Sequence, residues 1–146
     1  MASGVSVDPA CLSTYQALKN PTSAKKSGQS PLKYVLFSLN DKLTEIVVAQ
    51  TAETGQDYDS FVKALPETHC RWAVFDFQYD QGEGQRNKLV FYSWSPDDAK
   101  IKEKMVYASS KDALRRALDG IQIEIQATAF DEVAEEAVLE RITRGR

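Results

Sequence analysis

Apolar positions recur along this chain with two periods, and the switches between them outline its elements. Asp8-Pro9 reads as an N-cap followed by proline at the first helical position, and Leu12, Tyr15 and Leu18 then recur at helical spacing, which predicts a helix over 9–19. The stretches 34–39 and 44–50 are rich in β-branched and aromatic residues, with Asn40-Asp41-Lys42-Leu43 as a hairpin turn between them. A short helix is expected over 57–65, bounded by Gly55 and Pro66, with Tyr58, Phe61 and Leu65 on one side. Phe75, Phe77 and Tyr79 alternate with Asp76 and Gln78 in a strand over 72–79, and a partner strand over 88–94 follows a loop holding Gly82 and Gly84. These two read as the central strands. Ile121, Ile123 and Ile125 alternate with Gln122, Glu124 and Gln126 in a further strand, and Val133, Ala137 and Val138 mark a final helix.

The stretch 95–118 is less simple. Ser95-Pro96-Asp97-Asp98 offers a helix start and Gly120 a stop. At about 100° per residue Ile101, Met105 and Ala108 share a face, whereas Leu114 and Leu118 fall well away from it. One straight amphipathic helix therefore does not fit, and a kink or re-start is expected near Ser109-Ser110, where Ser109-x-x-Asp112 has the form of a capping box. Lys100, Lys104, Lys111 and Arg115 would line up within roughly 60° of one another as a basic stripe about 22 Å long.

Helices at both ends and between strand pairs predict an α+β fold, a central mixed sheet sandwiched by helices, in a single domain over 1–146 with a flexible N-terminal segment of about 1–7. With 146 residues the chain has the size of one domain with one compact core. The Ser-, Lys-, Gly- and Pro-containing stretch 20–31 reads as an exposed loop, because too little chain precedes it for a linker.

Charge narrows the class of partner. The net charge is −3, which argues against nucleic acid. Yet 86–116 holds eight basic residues against four acidic ones, an excess of four that predicts a basic surface meeting an acidic partner. No apolar run approaches the length of a membrane span and the first residues lack a basic and apolar leader, so a cytoplasmic, non-transmembrane protein is expected. Cys11 and Cys70 are far apart, without a Cys-x-x-Cys pair or histidine cluster, which signals neither a disulfide framework nor a metal site. Phosphate-loop, dinucleotide, nucleophile-elbow and zinc-protease signatures are missing. His69 beside Cys70 could pair a base with a nucleophile, but adjacent strand residues point to opposite faces. A binding protein without cofactor is expected, not an enzyme.

Trp94-Ser95-Pro96-Asp97, followed by the run from Lys104 through Met105-Val106-Tyr107-Ala108-Ser109-Ser110-Lys111-Asp112-Ala113-Leu114 to Arg115-Arg116, resembles the signature of the actin-depolymerising factor/cofilin family. The first residues Met-Ala-Ser-Gly-Val, Leu65-Pro66-Glu67, and Leu139-Glu140-Arg141 with Arg144 are similar to its other landmarks, so the resemblance spans Ser3 to Arg144. It implies one actin-depolymerising-factor homology domain, monomeric, that binds both monomeric and filamentous actin (G-actin and F-actin), prefers ADP-actin, severs and depolymerises filaments, and so drives their turnover. Carried over residue by residue, the surface for monomer and filament comprises Ser3, Gly4, Val5, Lys102, Lys104, Met105, Lys111, Asp112, Arg115 and Arg116. A filament-specific surface comprises Arg86, Lys88, Glu140, Arg141 and Arg144. Lys102 stands where many relatives have arginine, which removes a bidentate donor. The resemblance also implies inhibitory phosphorylation at Ser3 and competition by phosphoinositide headgroups. Lys25-Lys26 is shorter than the basic nuclear signal of some relatives. A coactosin-like protein that coats filaments without severing them is the alternative within the same fold.

Overall fold

A six-stranded mixed sheet divides the protein into two helical layers with separate cores. The computed structural model describes residues 5–20, 26, 32–53, 57–80 and 84–144, with the side chains of Asp80, Gln85, Arg86 and Arg144 left aside. In chain order the elements are β1 (Ser6–Val7), α1 (Pro9–Lys19), β2 (Leu32–Leu39), β3 (Glu45–Glu53), α2 (Tyr58–Ala64), β4 (Arg71–Asp80), β5 (Gln85–Trp94), α3 (Ile101–Ala117), β6 (Ile123–Ala127), a 3-10 turn (Phe130–Val133) and α4 (Glu135–Arg144). The strands lie in the order β1-β3-β2-β4-β5-β6. The β1–β3 and β5–β6 pairs are parallel and the others antiparallel. The middle pair is β2 and β4, so the assignment of both β4 and β5 to the centre is corrected by one place; β5 is interior but carries β6 as the sheet's edge.

Alternation along each strand sends successive side chains to opposite layers. Val35, Phe37, Trp72, Val74, Leu89 and Phe91 pack with Cys11, Tyr15 and Leu18 of α1 and with Tyr107 and Leu114 of α3. Tyr34, Leu36, Phe75, Phe77, Val90 and Tyr92 pack on the other side with Tyr58 and Phe61 of α2 and Val138 and Ile142 of α4. This second layer is an aromatic cluster, with Tyr58 edge-on to Phe75 at 4.9 Å and Phe61 tilted against Tyr92 at 4.8 Å between centroids.

Local chemistry sets the ends of the elements. Asp8 accepts from Ala10 N–H at 3.0 Å and Asp57 from Ser60 N–H at 2.9 Å, capping α1 and α2 where the sequence places them. Asn40 closes the β2–β3 turn by accepting from the N–H groups of Thr44 and Glu45, which lets Leu43 take a φ of 59°. Gly120, with φ of 89°, ends the turn after α3, and a Cβ there would stand 2.9 Å from Lys19 Cε.

Two expectations are overturned. Helix α3 begins at Ile101, not near residue 95, because Ser95 N–H still extends the sheet by donating to Ala127 carbonyl oxygen at 2.9 Å, and Pro96 to Ala99 form a turn. It then runs to Ala117 without the re-start near Ser109-Ser110. Ser109 Oγ donates back to Val106 carbonyl oxygen at 3.1 Å instead of capping a new helix, and Ser110 is fully buried. The N-terminal segment also differs: Val5 is buried and Ser6 and Val7 pair with Glu45 and Ile46, so the chain from residue 5 is held to the sheet by backbone bonds and apolar contact. Residues 1–4, most of 20–31 and 81–83, which include the expected flexible start and two expected loops, lie outside the described residues.

Candidate protein-binding face

The apolar residues that refused to form one stripe form two. Tyr107, Ser110 and Leu114 of α3, continued by Leu118, are buried against the sheet. On the opposite side of the same helix Ile101 and Met105 are 75% and 66% exposed. Two large aliphatic residues so exposed, one turn apart on a helix, make a candidate anchor for a partner.

Cations and polar groups follow that pair along the helix. Lys102, Ala108, Ser109, Asp112 and Arg116 are exposed on the outer face, and Arg116 Nε donates to Asp112 carbonyl oxygen at 3.3 Å. Lys104 is half-buried and donates to Asp97 carbonyl oxygen at 2.8 Å, which ties the helix to the segment that precedes it. The expected basic stripe is not one row of solvated charges. Lys100 is the N-cap of the helix, and Lys111 and Arg115 turn towards the sheet edge, where both face Glu124 of β6 at 3.5 and 3.3 Å. Strand β1 runs beside α3. Ser3 and Gly4 lie outside the described residues.

At the N-terminal end of α3 an open cleft of about 440 Å³ lies between the helix, the β2–β3 turn and the start of β4. Lys100, Lys102, His69 and Arg71 line it together with Glu103 and Asp41. Glu103 fastens it, accepting from Cys70 N–H at 2.8 Å and lying 3.3 Å from His69 Nδ1. His69 and Cys70 are no catalytic pair: the histidine is turned outwards to Glu103, while the thiol is buried beside Ser95 and burial raises its pKa. Burial pushes the other thiol, Cys11, up to about 11, so neither is a thiolate at neutral pH.

The second predicted surface lies on the other layer. Lys88 stands opposite Phe77 in the β4–β5 register, on the sheet face that α4 covers, and Glu140 and Arg141 are on the exposed side of α4. Arg86 pairs with Tyr79 in the same register; its side chain and that of Arg144 lie outside the described residues.

Sequence reasoning missed two residues of the α3 face. Ile101 was placed on one face with Met105 but not among the site residues, although its offset from Leu114 and Leu118 and its flanking lysines distinguished it. Glu124 looked like an ordinary outward strand residue, and only the packing of α3 against β6 brings it to Lys111 and Arg115.

The fold has two helical layers with an outward apolar pair on α3, and comparison with known proteins identifies its class. Residues 4–143 match the model of the cofilin/tropomyosin-type actin-binding proteins, and the chain belongs to that family. It is 54% identical to a cofilin from Mycosarcoma maydis over 99% of this chain and 98% of that protein. The crystal structure of a Streptomyces griseoflavus cofilin superposes with a TM-score of 0.84 at 52% identity, covering 98% of this chain and 100% of that one. Human coactosin-like protein superposes with a TM-score of 0.79 at 16% identity over 96% of this chain and 98% of that one, a likeness of fold alone. No helix among the described residues is long and apolar enough to cross a membrane.

Proposed function

We propose that this chain binds actin monomers and filaments through the outer face of α3 and the N-terminal segment beside it, and that it severs and depolymerises filaments, preferring ADP-actin. The observation that carries the reading is the exposed Ile101–Met105 pair, flanked in sequence by Lys102 and Lys104 with Arg116 further along the same helix, in a member of an actin-binding family. The apolar pair fills a cleft between partner surfaces, and the cations around it complement acidic protein and speed encounter. Ser3, Gly4, Val5, Lys111, Asp112 and Arg115 complete this surface. Arg86, Lys88, Glu140, Arg141 and Arg144, on the opposite layer, form a second contact used only in the filament, so that one molecule bridges two neighbouring subunits.

Severing needs no bond chemistry. A ligand with higher affinity for a differently twisted filament shifts the filament towards that twist by its differential affinity, and the boundary between decorated and bare segments becomes the weak point. The chain acts as a single-domain monomer over 1–146 on the cytoplasmic actin cytoskeleton. Phosphate on Ser3 would place about −1.5 to −2 charges against acidic actin and release it. Phosphoinositide headgroups would compete for the same cations.

Co-sedimentation with ADP-actin filaments, with filament length followed by microscopy in the same samples, tests the proposal. Binding with shortening is expected. Binding without shortening would move the protein to the coactosin-like mode, and failure to bind would overturn the reading.

A further inference from the structure

Two of the cations assigned to the partner already have a partner inside the molecule. Glu124, on the edge strand β6, presents Oε1 to Lys111 Nζ at 3.5 Å and Oε2 to Arg115 Nε at 3.3 Å. Lys111 and Arg115 stand one turn apart on α3, so a single carboxylate bridges one turn of the helix. Both side chains are held close, at 20% and 31% exposure, whereas Glu124 is 41% exposed. Arg115 is further committed by Nη1, which donates to Leu118 carbonyl oxygen at 3.4 Å.

The contacts are loose for charge-assisted bonds, which close to about 2.7–2.9 Å when well formed. Arg115 Nε is buried and faces the carboxylate without an aligned hydrogen bond. A guanidinium held by charge but poorly satisfied in geometry is open to exchange, and a partner carboxylate that approached its planar fork squarely would satisfy it better. Because Glu124 is itself reachable, such a partner need not unfold anything to take its place.

We propose that Glu124 is an internal competitor: it withholds Lys111 and Arg115 from solution, and an acidic partner surface must displace it to use them. The inference rests on the reading of the α3 face as the actin-binding surface. The consequence is selectivity. A neutral or weakly acidic protein surface does not recover what the broken contacts cost, so the carboxylate sets a threshold of partner acidity for the C-terminal half of the face. The apolar pair at Ile101 and Met105, about two turns away, stays open to any partner with a matching cleft.

The test is Glu124→Gln, which keeps the shape and removes the charge. Independently of actin, acylation of lysine amines by an N-hydroxysuccinimide acetate, followed by peptide mass spectrometry, reads the contact directly. Lys111 should react at least about twice as fast in the variant, with the exposed Lys63 as an unchanged internal standard; an unchanged Lys111 rate overturns the proposal. In ADP-actin monomer binding at low salt the variant should bind about 2- to 5-fold tighter, the range that such ion pairs support. That gain should vanish when Glu124→Gln is combined with Lys111→Met and Arg115→Met. Equal or weaker binding would make Glu124 a buttress, and a gain that survives the loss of both cations would make it a bulk charge effect; either overturns the proposal. If wild-type protein does not bind actin at all, the functional reading fails, while the acylation rates still decide whether Glu124 holds the two cations.

Discussion

The two faces of α3 use the same residue types for opposite ends. On the inner face Tyr107 and Leu114 are buried, and the Tyr107 hydroxyl accepts from Leu39 N–H at 3.0 Å, joining the helix to β2. On the outer face Ile101 and Met105 are as apolar and touch water. Hydrophobicity therefore does not decide which side of this helix is core; the sheet decides it, by offering Trp72 and its neighbours to one side only. The lesson is that an amphipathic helix with two apolar stripes has one stripe for its fold and one for something else.

Substitution costs most on the inner face. Leu114→Ala removes a fully buried side chain from the core shared by α1, α3 and the sheet, and should lower stability by about 2–5 kcal/mol in urea unfolding. The outer face should respond in the inverse sense. Replacing Ile101 and Met105 together by alanine should leave the urea midpoint within about 0.5 kcal/mol of the wild type, while ADP-actin affinity falls by at least about 1 kcal/mol. A stability loss comparable to that of Leu114→Ala would show that the outer pair belongs to the fold.

Most of the architecture could be read from sequence because period and caps agree with the tertiary outcome. Asp8-Pro9 caps α1 as expected, the short helix expected from 57 forms as α2, and the alternation of Phe75, Phe77 and Tyr79 marks one face of β4. Where the reading failed, the cause was not local. The strand-like pairing of Ser95 with Ala127 postpones α3, and no window of sequence around Ser95 contains Ala127. The supposed break at Ser109-Ser110 came from asking two stripes with different jobs to be one. For the candidate α3 face, a resemblance named Met105, Lys102 and Arg116, and the structure adds that all three are exposed. Which cations are committed internally was not legible, because Glu124 meets Lys111 and Arg115 only through packing.

A third experiment separates the layers. Arg86→Ala with Lys88→Ala alters the layer opposite α3, and should reduce filament binding by about 1 kcal/mol while leaving monomer binding unchanged. Parallel measurements on monomer and filament check it, and equal loss in both would merge the two proposed surfaces into one.

An exposed polar group can also serve the fold. Glu132, in the 3-10 turn before α4, accepts from Thr128 N–H at 2.7 Å, Thr128 Oγ1 at 3.0 Å and Ala129 N–H at 3.1 Å. These bonds favour the ionised form and hold its carboxyl below the usual value of 4.5, with the backbone N–H of Thr128 the largest cause. A depressed folded-state pKa contributes stability above the unfolded value, and that contribution is lost as pH falls through the folded one. Glu132→Gln can still accept these bonds but carries no charge, and solvent screens so exposed a group, so it should be less stable than wild type at pH 7 by about 0.5 kcal/mol at most. The two proteins should converge as the pH is lowered from 4.5 through the acid range. Thermal unfolding of both at matched ionic strength from pH 7 downwards reads the difference. A gap that stays constant with pH would assign the role of Glu132 to shape alone, and a loss of actin binding in the variant at unchanged stability would move Glu132 from the fold to the partner surface.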